Sequence, residues 1–336
     1  MKTKMQQSQQ CLSPTVACPI SGQSMKPWLL IPGDWRRPRN QESFQLYWCE
    51  KSQLGCIHPL PELNQIASFY DIDEYYTHHI DFTGFVSASS ISFFDKLRTH
   101  LAWRFDRGVD VTSKWWKQQF GTASSSILEI GCANGHLLQE LQADGHKVWG
   151  VEPDQQALVL AQQRGLNVFD GTAESLPPEV KSRQYDIIVM NHVLEHTRDP
   201  LLALRNAMQL LVDGGKLVME VPNNSCIGLK SSGISWMHLD VPRHLYFFTP
   251  QSFRAICEKV GFEIVSTQFN GYYRQFENSW INDEIKIFSV FDSMASHQIV
   301  KPKENSKVQA WKLLLKTILA ADENKYDSIR IVAQKP

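Results

Sequence analysis

Two hydrophobic patterns alternate from about residue 126 to the C-terminus. Short apolar runs are each followed by stretches in which apolar side chains recur every three or four residues. The first pattern is typical of buried strands and the second of helices that cover them. This order predicts an α/β fold in which helices flank a doubly wound, seven-stranded, mostly parallel sheet. The predicted strands span residues 127–130, 147–151, 166–169, 185–190, 216–221, 262–267 and 328–333.

Helix start signals agree with this pattern. Asp154 precedes an amphipathic stretch, and Asp199 and Thr249 each stand directly before a proline. A capping side chain followed by proline at the first helical position is a typical helix start. Helical patterns also occupy residues 280–294 and 308–321, inside an insertion at about 272–326. We expect this insertion to form a lid or a dimer contact.

The first 125 residues follow a different pattern. Residues 1–65 are rich in Pro, Cys, Trp and Gln without sustained periodicity, whereas residues 93–120 look helical. A chain of 336 residues is longer than the roughly 250–300 residues that a single hydrophobic core serves. We therefore predict an N-terminal module (1–85), a helical linker or lid (86–125) and the α/β domain (126–336).

Charge and hydropathy restrict the partners. The formal net charge of -1 gives no overall attraction to nucleic acid or to an anionic membrane. No apolar run approaches the roughly 18 residues of a membrane helix, and the N-terminus is polar and Gln-rich. The seven scattered cysteines suit reduced thiols. We expect a cytoplasmic protein without disulfides that acts on a small molecule and binds neither nucleic acid nor a membrane. The sequence leaves open whether the protein forms a homodimer.

A glycine-containing loop follows the first predicted strand. Glu129, Gly131 and Gly135 frame it, and Glu152 ends the next strand about twenty residues later. Glycines let a ligand approach the backbone, and a carboxylate at that place can accept both hydroxyls of a ribose. A dinucleotide site would carry G-x-G-x-x-G, whereas three other residues separate the two glycines here. The spacing disfavours NAD.

Further segments in register with this loop resemble the class I S-adenosylmethionine-dependent methyltransferases. The matching positions are 129–135, Glu152, 171–174, 191–196, 199–200, 221–223, Trp236, 242–245 and 248–249. The resemblance covers roughly residues 126–268 and the last strand. It implies the strand order 3-2-1-4-5-7-6 with the seventh strand antiparallel. It also implies S-adenosylmethionine as cofactor and O- or C-methylation of a small molecule, in a biosynthetic setting.

The resemblance also assigns cofactor contacts to positions of this chain. The glycine loop would wrap the methionine part, Glu152 would hold the ribose, and residues 172 and 173 the adenine edge. Relatives often carry Asp where Thr172 stands, so the backbone of Ala173 is the safer contact. The predicted cofactor residues are Glu129, Gly131, Cys132, Ala133, Gly135, Glu152, Pro153, Thr172, Ala173 and Asn191.

Two histidines are the candidate catalytic groups. His192 follows the fourth strand and His244 lies in the loop after the fifth, at the edge where open α/β sheets bind ligands. Methyl transfer needs an aligned acceptor and, where the nucleophile carries a proton, a base such as histidine. In related sugar C-methyltransferases the histidine of this motif is regarded as the base, so the resemblance makes His244 the first choice. Trp236, Arg243 and Tyr246 are the candidate acceptor contacts.

Two other functions also fit parts of the sequence. His192, Glu195 and His196 spell H-x-x-E-H, a zinc-protease pattern that needs both histidines on one helix. A new helix cap at Asp199 leaves room for a single turn only. The second alternative is a catalytically inactive adenosylmethionine-binding partner in a biosynthetic complex. The complete set of loop glycines, acids and His244 argues against it.

The N-terminal module resembles a two-knuckle zinc ribbon with altered ligands. Cys18 and Cys49 begin the knuckles, and Ser21 and Ser52 stand where the second cysteines would be. Hydroxyls are poor ligands for structural zinc. We therefore predict a ribbon-like module without metal. Replacement ligands could come from Cys11, Cys56 and His58.

Overall fold

The computed structural model describes residues 16–39, 42–70, 92–109, 111–295 and 306–336. Its strands are β1 Lys26–Ile31, β2 Phe44–Cys49, β3 Leu54–Ile57, β4 Ser126–Ile130, β5 Lys147–Val151, β6 Val168–Phe169, β7 Tyr185–Asn191, β8 Leu211–Pro222, β9 Tyr246–Phe247, β10 Glu263–Asn270 and β11 Ser328–Gln334. Its helices are α1 Leu63–Phe69, α2 Phe93–Phe105, α3 Ser113–Phe120, α4 His136–Ala143, α5 Gln155–Gln163, α6 Pro178–Lys181, α7 Pro200–Leu210, α8 Ile227–Ser232, α9 Pro250–Val260, α10 Asn278–Met294, α11 Ser306–Thr317 and α12 Asp322–Lys325.

The main sheet has seven strands in the order β10-β11-β8-β7-β4-β5-β6. Strands β6, β5, β4, β7 and β8 run parallel, and β11 lies antiparallel between β8 and β10. Numbered within the sheet, this order is 3-2-1-4-5-7-6. The predicted fold class and strand order are therefore confirmed. The strand bounds agree closely, except that β8 begins at Leu211 instead of residue 216.

Alternate side chains of each central strand enter opposite faces of this sheet, as the two-residue repeat of a strand requires. Ile127 and Ile187 join the core that contains the tryptophans of α3 and the apolar faces of α4 and α5. Leu128 and Ile188 join the core that α7 and α9 cover. The sheet is therefore enclosed on both sides, and ligands can reach it at the ends of its strands.

The helices begin at the capping residues that the sequence predicted. The Asp154 carboxylate accepts from the backbone N–H of Gln156 at 2.8 Å. Thr249 and Ser252 form a reciprocal capping box at the start of α9. Helices α10, α11 and α12 occupy the predicted insertion between β10 and β11. The described part of the chain contains no helix long and apolar enough to cross a membrane.

A second, antiparallel sheet joins the N-terminal residues to the main domain. Its strand order is β1-β2-β3-β9, so its last strand comes from the main domain. The N–H of Ile57 donates to the carbonyl of Leu245 at 3.0 Å, next to the pairing of β3 with β9. The ribbon-like module thus shares a sheet with the domain that carries the candidate site.

Candidate active site

The loop after β4 is held by the last carbonyl of β5. The oxygen of Val151 accepts from the N–H groups of Gly131 and Cys132 at 2.8 and 3.2 Å. Gly131 and Gly135 have φ of 72° and 78°, which glycine adopts without strain. A Cβ at Gly131 would lie 2.5 Å from Cγ2 of Val193. Glycine is therefore needed for the turn and for close contact with the chain after β7.

Glu152 ties the end of β5 to this loop. Its carboxylate accepts from the N–H groups of Ala133 at 2.7 Å and Asp154 at 2.9 Å. Each carboxylate oxygen has a further lone pair, so a ligand hydroxyl can still bind. Burial, only partly offset by these two hydrogen bonds, raises the pKa of Glu152 to about 7. The predicted acid thus lies beside the loop, where ribose recognition would need it.

Two buried polar atoms at this edge of the sheet have no hydrogen-bond partner within the described chain. They are Oε2 of Glu129, at the end of β4, and Oδ1 of Asn191, at the end of β7. Burial and the nearby Glu152 raise the pKa of Glu129 to about 8. A buried polar atom without a partner costs about 1–3 kcal/mol. Both atoms therefore fit a ligand that brings hydrogen-bond donors and positive charge.

The predicted adenine segment forms a tight turn. The backbones of Thr172 and Ser175 exchange hydrogen bonds of 3.1 Å, and the Thr172 hydroxyl accepts from the same Ser175 N–H. Ala173 is buried, and its carbonyl accepts from the side chain of Asn206 at 2.8 Å. Pro153 is exposed beside Glu152. The turn is thus fixed by its own bonds and by α7.

His192 lies at the end of β7 with φ of 52°. Its Nδ1 is 3.1 Å from Oε1 of Glu195, and its Nε2 is 3.5 Å from Oε1 of Glu220. Burial alone would lower the pKa of His192, but these two carboxylates raise it to about 10. The side chain keeps 31% of its surface exposed. His192 is therefore a charged, carboxylate-held imidazole that a second molecule can reach.

Glu220 begins a polar row that the sequence did not predict. Arg330 of β11 donates to its Oε2 at 2.6 Å, and Asn270 of β10 donates to both oxygens at 3.0 Å. A signal was available, because Glu220 and Arg330 each interrupt an otherwise apolar strand. Opposite charges in two buried strands need each other as partners. The row continues the site from β7 to the edge of the sheet.

His244 occupies a more enclosed position. Its Nδ1 donates to the carbonyl of His238 at 2.8 Å, and its ring meets His196 edge-on with centroids 4.6 Å apart. Its side chain is 8% exposed. Burial, together with the adjacent His196, lowers the pKa of His244 to about 3. A weakly basic, enclosed imidazole is a poor match for the acceptor base that the resemblance implied.

Two of the three expected acceptor contacts, Arg243 and Tyr246, make hydrogen bonds within the protein. Arg243 donates to both carboxylate oxygens of Asp34, at 3.0 and 2.8 Å, and to Asp240 at 2.9 Å. Tyr246 lies in β9, and its hydroxyl donates to the carbonyl of Arg198 at 3.2 Å. These contacts hold the loop before β9 and β9 itself in place, while a role of Arg243 and Tyr246 in acceptor binding stays a prediction. The sequence could not show this, because Asp34 lies far away along the chain.

Trp236, the third expected contact, is buried beside His238. The rings of Trp236 and Trp280 meet His238 edge-on, with centroids 5.4 and 5.0 Å away. His238 in turn stacks on His192 with centroids 5.9 Å apart. Arg274 lies 3.1 Å from Nε2 of His238. Aromatic side chains thus adjoin His192 on the side of the helical insertion.

The structure does not support the protease pattern. Residues 192–196 are not one helix, since His192 has a positive φ and only Leu194–His196 forms a 3-10 turn. Nε2 of His192 lies toward Glu220, while His196 contacts Tyr70 and His244. The two histidines of the pattern therefore do not converge on one ion.

The four knuckle positions of the ribbon-like module meet in one cluster. Cys18 Sγ is 3.1 Å from Ser52 Oγ, and Cys49 Sγ is 3.4 Å from Ser21 Oγ. Cys49 and Ser52 are 3.3 Å apart, and the two hydroxyls are 3.0 Å apart. Hydrogen bonds thus link these four side chains to one another. Of the suggested replacement ligands, Cys56 donates to a methionine sulfur, His58 packs on Tyr47 and Cys11 lies outside the described residues.

A doubly wound sheet with a glycine loop at its switch point and an acid after the next strand defines a nucleoside-binding α/β protein. The family model for a methyltransferase domain matches residues 99–267, half of the chain. The chain therefore belongs to this methyltransferase family. Family membership carries with it the predicted cofactor, S-adenosylmethionine.

Individual relatives match a shorter part. The chain is 28% identical over 117 residues to the ubiquinone biosynthesis O-methyltransferase of Pseudomonas fluorescens, which covers 33% of this chain and 50% of that protein. The corresponding enzyme of Pseudomonas savastanoi is 27% identical over the same coverage. The chain thus spans about half the length of the curated relatives it matches.

Solved structures align more distantly. A SAM-dependent methyltransferase from Archaeoglobus fulgidus is 19% identical with a TM-score of 0.45, covering 71% of this chain and 94% of that one. The N-methyltransferase NodS from Bradyrhizobium japonicum, in complex with S-adenosyl-L-homocysteine, is 12% identical with a TM-score of 0.42, covering 81% and 97%.

Proposed function

We propose that this protein transfers a methyl group from S-adenosylmethionine to an oxygen of a small-molecule acceptor. The family supports the reaction class. The observation that supports the binding mode is the loop after β4, held against Glu152 and next to the unpartnered oxygens of Glu129 and Asn191. The named relatives are O-methyltransferases, which favours oxygen over carbon as the acceptor atom.

The residues of this site would bind and align the reactants. S-adenosylmethionine supplies a methyl group already activated on a sulfonium sulfur. Gly131 and Gly135 let the backbone approach the amino-acid part, Glu129 offers it negative charge, and Glu152 accepts the ribose hydroxyls. Closure of such a site excludes water and holds the acceptor in line, which is most of what methyl transfer requires.

Titration calorimetry tests the cofactor assignment. We expect the protein to bind S-adenosylmethionine and S-adenosylhomocysteine but not NAD. Glu152→Ala should weaken both by roughly 10–100-fold, because hydrogen bonds to an ionised group are lost. Glu179→Ala, at an exposed acid of α6, is the matched control. Binding of NAD alone, or no binding of the sulfur nucleosides at millimolar concentration, would contradict the proposal.

We further propose that His192, and not His244, handles the proton of the acceptor. His192 is the more exposed ring, and carboxylates on both sides can stabilise its charged form. His192→Gln should lower kcat by roughly 10²–10⁴-fold with little change in S-adenosylmethionine affinity. Unchanged turnover of a well-folded His192→Gln protein would remove this assignment.

The same assays test the alternative function. Tight cofactor binding without turnover on any acceptor would favour a catalytically inactive adenosylmethionine-binding partner in a biosynthetic complex.

The pH dependence separates the two histidines. A base acts in its neutral form, and His192 has a pKa of about 10. Activity should therefore rise by roughly tenfold per pH unit through the neutral range. His244, with a pKa of about 3, would be neutral throughout and would give a flat profile. A profile of kcat from pH 6 to 10 at saturating S-adenosylmethionine, on the parent protein and on His192→Gln, distinguishes the two.

A further inference from the structure

A separate cluster of potential ligands lies next to His192. It is formed by the 3-10 turn Leu194–His196 and the loop that precedes β9. One ligand atom each from Glu195, His196 and His244 lies within 4.8 Å of the other two. Within the part of the chain that the structure describes, no other three His, Cys, Asp or Glu side chains meet this closely.

The contacts of both histidines favour the tautomer in which Nε2 is free to bind a metal. Nδ1 of His244 lies 2.8 Å from the carbonyl of His238, and Nδ1 of His196 lies 3.1 Å from the carbonyl of Arg243. A carbonyl only accepts, so these contacts favour a hydrogen on each Nδ1 and a lone pair on each Nε2. The hydroxyl of Tyr70 adds a 2.8 Å contact to His196 Nδ1. Histidines bound to metals are oriented by such bonds from their other nitrogen.

Glu195 supplies the negative charge of the cluster. It is completely buried, and its Oε1 lies 3.1 Å from His192. Its Oε2 has no hydrogen-bond partner among the described residues. A buried carboxylate oxygen without a partner is costly, and a bound cation would satisfy it. Half of this carboxylate is therefore free for a ligand that the protein alone does not provide.

We propose that Glu195, His196 and His244 bind a divalent cation of the zinc class, with three protein ligands and an open fourth position. Two imidazoles and one carboxylate are a donor set of zinc sites, whereas magnesium and calcium prefer oxygen alone. Tetrahedral ligands at about 2.0–2.1 Å from zinc lie about 3.3 Å apart. His244 Nε2 lies 4.0 Å from the other oxygen of the Glu195 carboxylate, Oε1, and all three ligand atoms lie within 4.8 Å of one another, so a small movement of the side chains completes the site.

Zinc binding to the parent protein tests the site directly. After removal of metals with a chelator, titration with Zn²⁺ should give one ion per chain and raise the thermal unfolding temperature. Co²⁺ in its place should give visible absorption bands of a nitrogen and oxygen site. Absence of Zn²⁺ binding would overturn the proposal. An intense thiolate-to-cobalt band would also overturn it, because it would assign the metal to Cys18 and Cys49.

Single variants locate the ion. Loss of a residue that only orients a ligand typically lowers metal affinity by about 10–100-fold. Glu195→Gln and His244→Ala each remove a ligand itself, so zinc affinity should fall by more than that. Tyr70→Phe, which changes an outer partner, should cost about tenfold. His146→Gln removes a buried histidine outside the cluster and should bind zinc normally. Normal zinc affinity in the two ligand variants would refute the site; if either fails to fold, the cobalt spectrum of the parent protein decides.

Discussion

Glu129 and Glu152 lie one strand apart, and the charge of Glu152 makes ionisation of Glu129 harder. Burial and this proximity raise the pKa of Glu129 to about 8, and burial raises the pKa of Glu152 to about 7. Near pH 7 the pair therefore holds at least part of a proton. A cation bound beside a carboxylate favours its charged form. This pair makes cofactor binding sensitive to pH.

We expect binding of S-adenosylmethionine to release a proton near pH 7. A ligand with positive charge lowers the pKa of Glu129, and a group whose pKa falls on binding gives up protons. Affinity should then increase as pH rises toward about 8 and level off above it. Calorimetry in buffers of different ionisation enthalpy measures the released fraction. Glu129→Gln should abolish it, and equal heats in all buffers for the parent protein would contradict the mechanism.

The sequence allows the positions of those residues to be predicted that directly follow a strand. Gly131, Gly135 and Glu152 follow strands directly, so topology alone brings them together. Arg243 could not be assigned in this way, because its partner Asp34 comes from another sheet. The role of His244 depended on how deeply its ring is buried. Burial of a single side chain is a tertiary property that periodicity does not encode.

At the scale of elements, strands and caps were predicted more reliably than strand partners. The seven strands of the main sheet and the caps at Asp199 and Thr249 occur as expected. The short strand β9 was missed, because its two residues have too little pattern to predict a strand. Its pairing with β3 depends on a contact between distant parts of the chain.

The knuckle cluster of Cys18, Ser21, Cys49 and Ser52 brings the four predicted ligand positions together. Ser52 lies 3.0–3.3 Å from the other three side chains, and Ser21 lies 3.4 Å from Cys49. Four thiolates at about 2.3 Å from zinc would lie about 3.8 Å apart. Although burial opposes it, hydrogen bonds from Ser21 and Ser52 lower the pKa of Cys49 to about 7. The four positions are thus close enough together for a zinc site, but two of the four sulfur ligands are missing.

Restoring the sulfurs should restore zinc binding. The double change Ser21→Cys and Ser52→Cys should give one zinc per chain more than the parent protein, with a higher thermal unfolding temperature. Metal analysis and calorimetry measure both. Ser175→Cys with Ser182→Cys adds the same number of thiols at exposed positions and should add no zinc. If the first variant gains no ion, the four positions do not form a ribbon site.

For the molecule as a whole, one buried ion cluster joins the N-terminal sheet to the methyltransferase domain. Arg243 lies between Asp34 of the first and Asp240 of the second, and Arg36 also reaches Asp240 at 2.9 Å. Arg243 and both aspartates are almost inaccessible to solvent. The same loop carries His244 toward Glu195. Loss of the cluster should therefore weaken both the attachment of the N-terminal sheet and the order of that loop.

Arg243→Met should lower the free energy of unfolding by about 3–5 kcal/mol, because it leaves buried carboxylates without their partner. Urea denaturation measures this difference. Lys117→Met is the matched control. Lys117 pairs with Asp144 at 3.0 Å, but its side chain is 44% exposed, and an exposed pair contributes about 0–1 kcal/mol.

Combining Arg243→Met with Asp34→Asn should cost less than the sum of the two single changes, because the second removes a charge that the first left unpaired. A loss as small as that of the control would mean that the N-terminal sheet is held by β3 and β9 alone.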